Sequence, residues 1–464
     1  MKAKDEKSKL YERLVQDADP VALLERMRAL GFWPHDEEAP REPAEARAER
    51  ERLDDELERL RRRGVTASDP DKALQKERLR RWHESKARRA AQRAQREHEA
   101  AQRRDLWEEQ RRGTIVHAGD GVSAGLQERE SSGERLAAQG LPQIDTPESL
   151  AEQMGIGVAQ LRWLTYHRTA AGAVHYRRYG VPKKSGGVRH ISAPKPELAF
   201  AQRWLFEHVL TGLSLPAETH GFVTGKTTLS NARPHVGKAV VVNMDLRDFF
   251  PTITFQRVKG LFSKLGYSGS VATVMALLTT EPPRVAATLD GRRLHVALGE
   301  RRLPQGACTS PVISNLVCRR LDRRLRGFAT SQGFTYTRYA DDLTFSSEDD
   351  GRVGKLLGGV RRIVEEEGFV EHEAKTHVMR RGACQTVTGL TVNDRVGLSR
   401  KKRRELRAVL HNVSRHGLAS QNRAAHPRFD QFLRGWVAYL CMVDPDHAEV
   451  WRGALARALT RPPR

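Results

Sequence analysis

The sequence predicts an α+β protein built around a split βαβ sheet and preceded by a charged helical extension, and three stretches carry that prediction. Residues 239–244, AVVVNM, make an apolar, largely β-branched run that ends on Asp245 and reads as a buried strand. Residues 334–347, FTYTRYADDLTFSS, alternate on both sides of a tight Ala-Asp-Asp turn, as a β-hairpin does. From 42 to 112 the chain consists mostly of Glu, Arg, Ala, Gln and Leu, strong helix formers with too few apolar residues to fill a core. Strands interleaved with helices then favour an α+β arrangement.

Along the chain, residues 1–31 have the apolar spacing of one or two short helices, a small docking element. Residues 42–112 predict two long charged helices separated by GVTASDP at 64–70. The second carries KARRAAQRAQREHEAAQRR, which reads as a solvated helix laced with i,i+4 charge pairs or as an arm for RNA or a partner. Residues 113–143, rich in Gly, Ser and Gln, read as a linker between this extension (1–112) and a folded domain (144–394). The domain opens with Thr146 as N-cap, Pro147 at the first helical position and Glu148 in the first turn. A basic hairpin follows around Lys183-Lys184-Ser185-Gly186-Gly187. Residues 395–464 close the chain as amphipathic helices with a basic outer face, in which Trp436 and Tyr439 read as core.

The 464 residues hold 80 Lys and Arg against 58 Asp and Glu, a net charge of +22 that favours a polyanionic partner, nucleic acid ahead of an anionic membrane. No long apolar run suits a membrane span, and the first residues lack the apolar centre of a signal peptide, so a cytoplasmic protein is expected. Cys308, Cys318, Cys384 and Cys441 lie far apart without a CxxC pair, which indicates neither a zinc site nor a disulfide framework. His372 and His377 are spaced poorly for a metal pair on one helix face.

Phosphoryl transfer to a sugar hydroxyl needs two divalent ions held by hard oxygen ligands, and Mg²⁺ asks for only a few carboxylates. A lone Asp at a strand end and a paired Asp in a hairpin meet that need, provided the two strands are neighbours. Either alone is an ordinary cap or turn residue.

Three stretches in fixed order, VVVNMDLRDFFPTI (240–253), LPQGACTSPVISN (303–315) and RYADDLTFSS (338–347), resemble the central polymerase motifs of reverse transcriptases. NARPHVG (231–237) and VTGLTVN (387–393) resemble motifs of the retron branch and favour it over the alternatives, a group II intron maturase-like or a diversity-generating reverse transcriptase. A scaffold with an inactive polymerase site is the reading of another class, and the intact aspartates weigh against it. The similarity runs from about residue 150 to the end and implies a right-hand polymerase, with fingers and palm over 144–394 and a helical thumb over 395–464.

By that resemblance, Asp245, the Leu246 carbonyl, Asp341 and Asp342 would ligate two Mg²⁺ ions, for which Mn²⁺ can stand in. Arg189, helped by Lys183 and Lys184, would grip the triphosphate, since a planar guanidinium suits phosphate oxygens. Phe250 would collide with a ribose 2′-hydroxyl, while Gln305 and Gly306 would lie under the nascent base pair. Lys375 would protonate the leaving pyrophosphate. Asn231 and His235 would contact RNA or buttress the join of fingers and palm; Thr388 and Gly389 would support the primer end. The implied partners are a structured noncoding RNA, its branched RNA–DNA product primed from a guanosine 2′-hydroxyl, deoxynucleoside triphosphates and an effector protein in antiphage defence.

Overall fold

A computed structural model describes residues 70–183 and 186–460, with a few further residues between 25 and 59. The docking element expected over 1–31 and the first charged helix fall largely outside the described residues. The chain divides into two compact units, Met1–Gln102 and Arg103–Arg464.

Helix α1, Pro70–Gly113, realises the second charged stretch. Its described side chains are mostly exposed and pair along the surface, Glu77 with Arg81 at 3.3 Å and Arg93 with Glu97 at 3.0 Å. Such exposed, solvent-screened pairs add little, so helix propensity carries much of this segment.

Residues 114–143 do not behave as a linker. Ile115, Ala118, Val122, Leu126, Leu136 and Leu141 are buried in the main core. One of its glycines serves close packing: a Cβ on Gly119, at φ +111°, would stand 2.1 Å from the His167 carbonyl oxygen. Irregular apolar spacing hides such packing from any periodicity.

The expected caps are present. Thr146 accepts from the Ser149 amide and begins helix α2, Pro147–Gln153, which leads into α3, Val158–Thr165. Strands β1, Tyr176–Pro182, and β2, Val188–Pro194, form the basic hairpin, and helix α4, Pro196–Leu205, leaves it.

Strand β3, Val240–Asp245, is the centre of the palm sheet. After it come helices α5, Phe255–Leu265, and α6, Gly269–Thr279, then a hairpin of β4, Arg284–Leu289, and β5, Arg292–Ala297. Helices α7, Ser310–Val317, and α8, Arg319–Ser331, lead to β6, Thr335–Tyr339, and β7, Asp342–Ser347. Helix α9, Val353–Glu366, precedes β8, His377–Arg380. The sheet order is β6-β7-β3-β8, with β3 antiparallel to both neighbours. Val240, Val242 and Met244 enter the main core, whereas Val241 enters a second core on the opposite face. Burial on both faces is why β3 reads as a continuous apolar run instead of alternating.

The second core belongs to the C-terminal helices α10, Arg400–His416, α11, Phe429–Val443, and α12, Ala448–Thr460. Leu406, Leu410, Val413, Leu433, Val437 and Leu440 fill it, with Trp436 and Tyr439 packed against its edge. The basic residues of α10 remain largely outside. Among the described residues no helix is long and apolar enough to cross a membrane.

Candidate active site

The register of the palm sheet brings the distant carboxylates together. Asp245, the last residue of β3, lies directly opposite Asp342, the first residue of β7. Between β6 and β7 the chain reverses through Ala340 and Asp341, and Ala340 takes a left-handed φ of +58°. The Leu246 amide donates to the Asp341 carbonyl at 3.0 Å, so the chain leaving β3 is tied to the turn.

Beneath the turn sits Arg338, fully buried. Its Nε and one terminal nitrogen each donate to Asp322 at 2.7 Å, and the other terminal nitrogen donates to Asn315 Oδ1 at 2.9 Å and to the Ala340 carbonyl at 3.0 Å. Asp322 also accepts from Tyr336 at 2.8 Å and Thr219 at 3.0 Å. A buried ion pair of this kind is tolerable only because its lone pairs and protons are satisfied.

Above the turn the charges do not balance. The Asp342 side chain keeps an edge in solvent, yet enclosure by protein and the adjacent Asp341 and Asp245 charges push its carboxyl up to about 7. Burial, and then Asp245, also raise Asp341 above the ordinary carboxylate range, against the pull of Lys375 and Arg189. Lys375, in a short 3₁₀ turn, donates to both Asp245 oxygens at 2.9 and 3.0 Å. Among the described residues no three His, Cys, Asp or Glu side chains converge in metal-ligand geometry. Even so, three carboxylates with one shared ammonium form a hard-oxygen donor set that further cations would relieve, so these residues fit divalent metal.

Asp245 and Asp341 share a cavity of about 800 Å³ with Lys183 and Arg189 of the basic hairpin, whereas Asp342 lines a second cavity. Lys184 lies outside the described residues. Phe250 is half-buried on the cavity wall, while Phe249 is buried and stacks on Phe369 at 5.8 Å, so the two adjacent phenylalanines divide into wall and core. Gln305 lines the same cavity and its carbonyl accepts from the Ser192 amide at 2.7 Å. Gly306, at φ +118°, does permit a close approach, but to β2: a Cβ there would stand 2.8 Å from Ile191 and 3.0 Å from the Ser192 carbonyl. Thr388 and Gly389 line the second cavity with Tyr339, Asp342 and Lys375, and the Thr388 hydroxyl donates to the Thr228 carbonyl at 3.2 Å.

Asn231 and His235, expected either to contact RNA or to buttress the join of fingers and palm, are both fully enclosed, which favours the buttress. His235 is bonded at 2.6 Å to Ser346 and at 2.8 Å to Thr337, bracing the palm hairpin from behind, and burial pushes its imidazole down to about 3. The side-chain amide of Asn231 has no protein hydrogen-bond partner. The sequence reading missed Phe222, which lines the main cavity with a left-handed φ of +59°. Its signal was an aromatic residue stranded among turn formers in THGFVTGKTT.

Comparison with known proteins follows this geometry. Residues 181–407 match the family described as reverse transcriptase (RNA-dependent DNA polymerase). The chain is 44% identical over 328 residues to the retron Mx162 reverse transcriptase of Myxococcus xanthus, covering 67% of each chain. It is 45% identical over 315 residues to the retron Mx65 enzyme of the same organism, covering 68% of this chain and 72% of that one. To the retron Ec86 reverse transcriptase of Escherichia coli it is 33% identical over 313 residues, covering 67% and 88%. The chain belongs to the retron reverse transcriptases. This reverse transcriptase has the right-hand polymerase fold and is an RNA-directed DNA polymerase, which takes an RNA template and deoxynucleoside triphosphates. Enzymes of its family depend on divalent metal, in keeping with the carboxylate set above.

Proposed function

We propose that this enzyme copies part of a cognate structured noncoding RNA into single-stranded DNA, beginning at a guanosine 2′-hydroxyl of that RNA and leaving a branched RNA–DNA product. The observation that carries the chemistry is that Asp245, paired in register with Asp342, and Asp341 line one cavity with Lys183 and Arg189, an acidic pole and a basic pole on the same space. Two Mg²⁺ ions held by Asp245, Asp341, Asp342 and the Leu246 carbonyl would activate the attacking hydroxyl and neutralise the triphosphate. Arg189 and Lys183 orient the phosphates, Phe250 bars a 2′-hydroxyl, and Gln305 supports the new pair. Lys375, already bonded to Asp245, lies within reach of a leaving phosphate and supplies its proton. Thr388 and Gly389, beside Asp342, cradle the primer end. Residues 144–394 act as fingers and palm, and 395–464 act as the thumb that follows the duplex backbone with the basic face of α10.

The likeness of NARPHVG and VTGLTVN to retron motifs supports the branched product, and by the same likeness the product serves antiphage defence with an effector protein. The test is synthesis by protein purified with its coexpressed RNA, given Mg²⁺ and labelled deoxynucleotides. Labelled DNA that keeps a covalent ribonucleotide after ribonuclease digestion is the expected result. Synthesis that survives Asp341→Ala or Asp342→Ala would overturn the proposed site, and DNA with a free 5′ end would overturn the branched primer.

A further inference from the structure

Phe222 stands where a bulky residue is least at ease. Its φ of +59° lies in the left-handed region, which glycine enters freely and a phenylalanine enters only when its surroundings impose it. The surroundings do impose it. Thr219 bridges Arg338, the His220 amide donates to the Arg338 carbonyl at 2.8 Å, and Asn315 donates to the Gly221 carbonyl at 2.8 Å. Gly221 lies so close to the catalytic turn that a Cβ would stand 2.4 Å from the Ala340 nitrogen. The backbone leading to Phe222 is thus fixed to the same Arg338 network that holds Asp341 and Asp342.

Nor does the ring repay its strain by burial. Phe222 is 47% exposed, lines the main cavity, and meets Phe250 at 6.3 Å between ring centroids with a tilt of 45°. Phe250 is therefore bounded by Phe249 on the core side, at 5.5 Å, and by Phe222 on the cavity side. A strained aromatic held in a substrate cavity points to contact with substrate.

We propose that Phe222 is a specificity-determining residue: its ring forms the outer wall of the deoxynucleotide pocket and keeps Phe250 where it meets the sugar. The proposal rests on the reading of Phe250 as the sugar gate. Without the Phe222 ring, Phe250 can turn into the vacated space, and room opens beside the 2′ carbon. Because the wall hangs from the Arg338 network, it moves together with the catalytic turn.

Single-nucleotide incorporation by the full-length protein with its coexpressed RNA tests this, using deoxy- and ribonucleoside triphosphates and the variants Phe222→Gly, Phe222→Tyr and Phe250→Ala. Phe222→Gly removes the ring and the backbone strain together, so the thermal midpoint should hold or rise while deoxynucleotide KM increases and sugar discrimination falls by about tenfold. Phe222→Tyr should keep wild-type discrimination. If Phe250→Ala relaxes discrimination and Phe222→Gly changes neither KM nor the ratio, the Phe222 proposal is wrong and the gate stands. If Phe250→Ala changes nothing and Phe222→Gly still relaxes the ratio, the gate reading fails and Phe222 itself faces the sugar. If neither variant changes the ratio, both fail.

Discussion

The two sides of the β6–β7 turn are built on opposite electrostatic terms. Underneath, Arg338 is enclosed completely, yet its hydrogen-bonding groups meet Asp322, Asn315 and the Ala340 carbonyl. On top, Asp341 and Asp342 face Asp245 with one lysine ammonium among them, and two of the carboxyls are raised as a result. The buried side is satisfied and stiff; the open side is left short of positive charge. The contrast separates the groups that hold the turn in shape from the groups proposed to take substrate and metal.

The contrast is tested most severely on the open side. Asp245→Asn or Asp341→Asn should reduce deoxynucleotide incorporation on the order of a thousandfold or more, with the fold retained, measured by primer extension and circular dichroism. A variant that unfolded instead would place structural duty on the upper face. On the lower face, Asp322→Ala strands a buried guanidinium and should cost about 3–5 kcal/mol in denaturant unfolding. Unchanged stability would mean that Arg338 finds another counter-charge.

A finer effect concerns pH. Asp342 holds its proton more tightly in the folded than in the unfolded chain, so the folded state binds more protons between about 4 and 7 and loses stability as pH rises through that window. Without added metal, Asp342→Asn should flatten this loss, seen as a smaller difference in thermal midpoint between pH 5 and pH 8 in roughly that range. An equal slope in both proteins would show that the upper charges are not in conflict. The smallest effect is expected far from either face. Arg93→Ala on α1, which breaks only an exposed pair with Glu97, should change stability by less than about 0.5 kcal/mol.

What could be read from the sequence follows the same division. Asp245 and the Ala-Asp-Asp turn were legible as strand ends from local pattern, and as a site only through the resemblance of the three ordered motifs around them to those of reverse transcriptases. The Arg338 network was not, because Asp322 sits in α8 among Arg319, Arg320, Arg323 and Arg324 and reads as part of a solvated face. His235 fitted an RNA contact or a buttress equally well in the sequence, and only the closed sheet shows it enclosed. Residues 114–143 looked like a tether because their apolar residues follow the shape of the core and no helical or strand period. Phe222 carried only a weak signal, an aromatic among turn formers, and its φ and its place in the cavity gave that signal meaning.

Strand β3 has one further consequence, for how the chain comes off the ribosome. Its partner β7 lies roughly a hundred residues downstream and β8 further still, so its pairings are among the least local in the molecule. Until that chain emerges, Val240, Val241 and Val242 form a sticky segment with both edges free, the kind of intermediate that chaperones exist to shield. The carboxylates of the proposed site therefore meet late in synthesis, and a prematurely terminated chain would carry Asp245 without its partners.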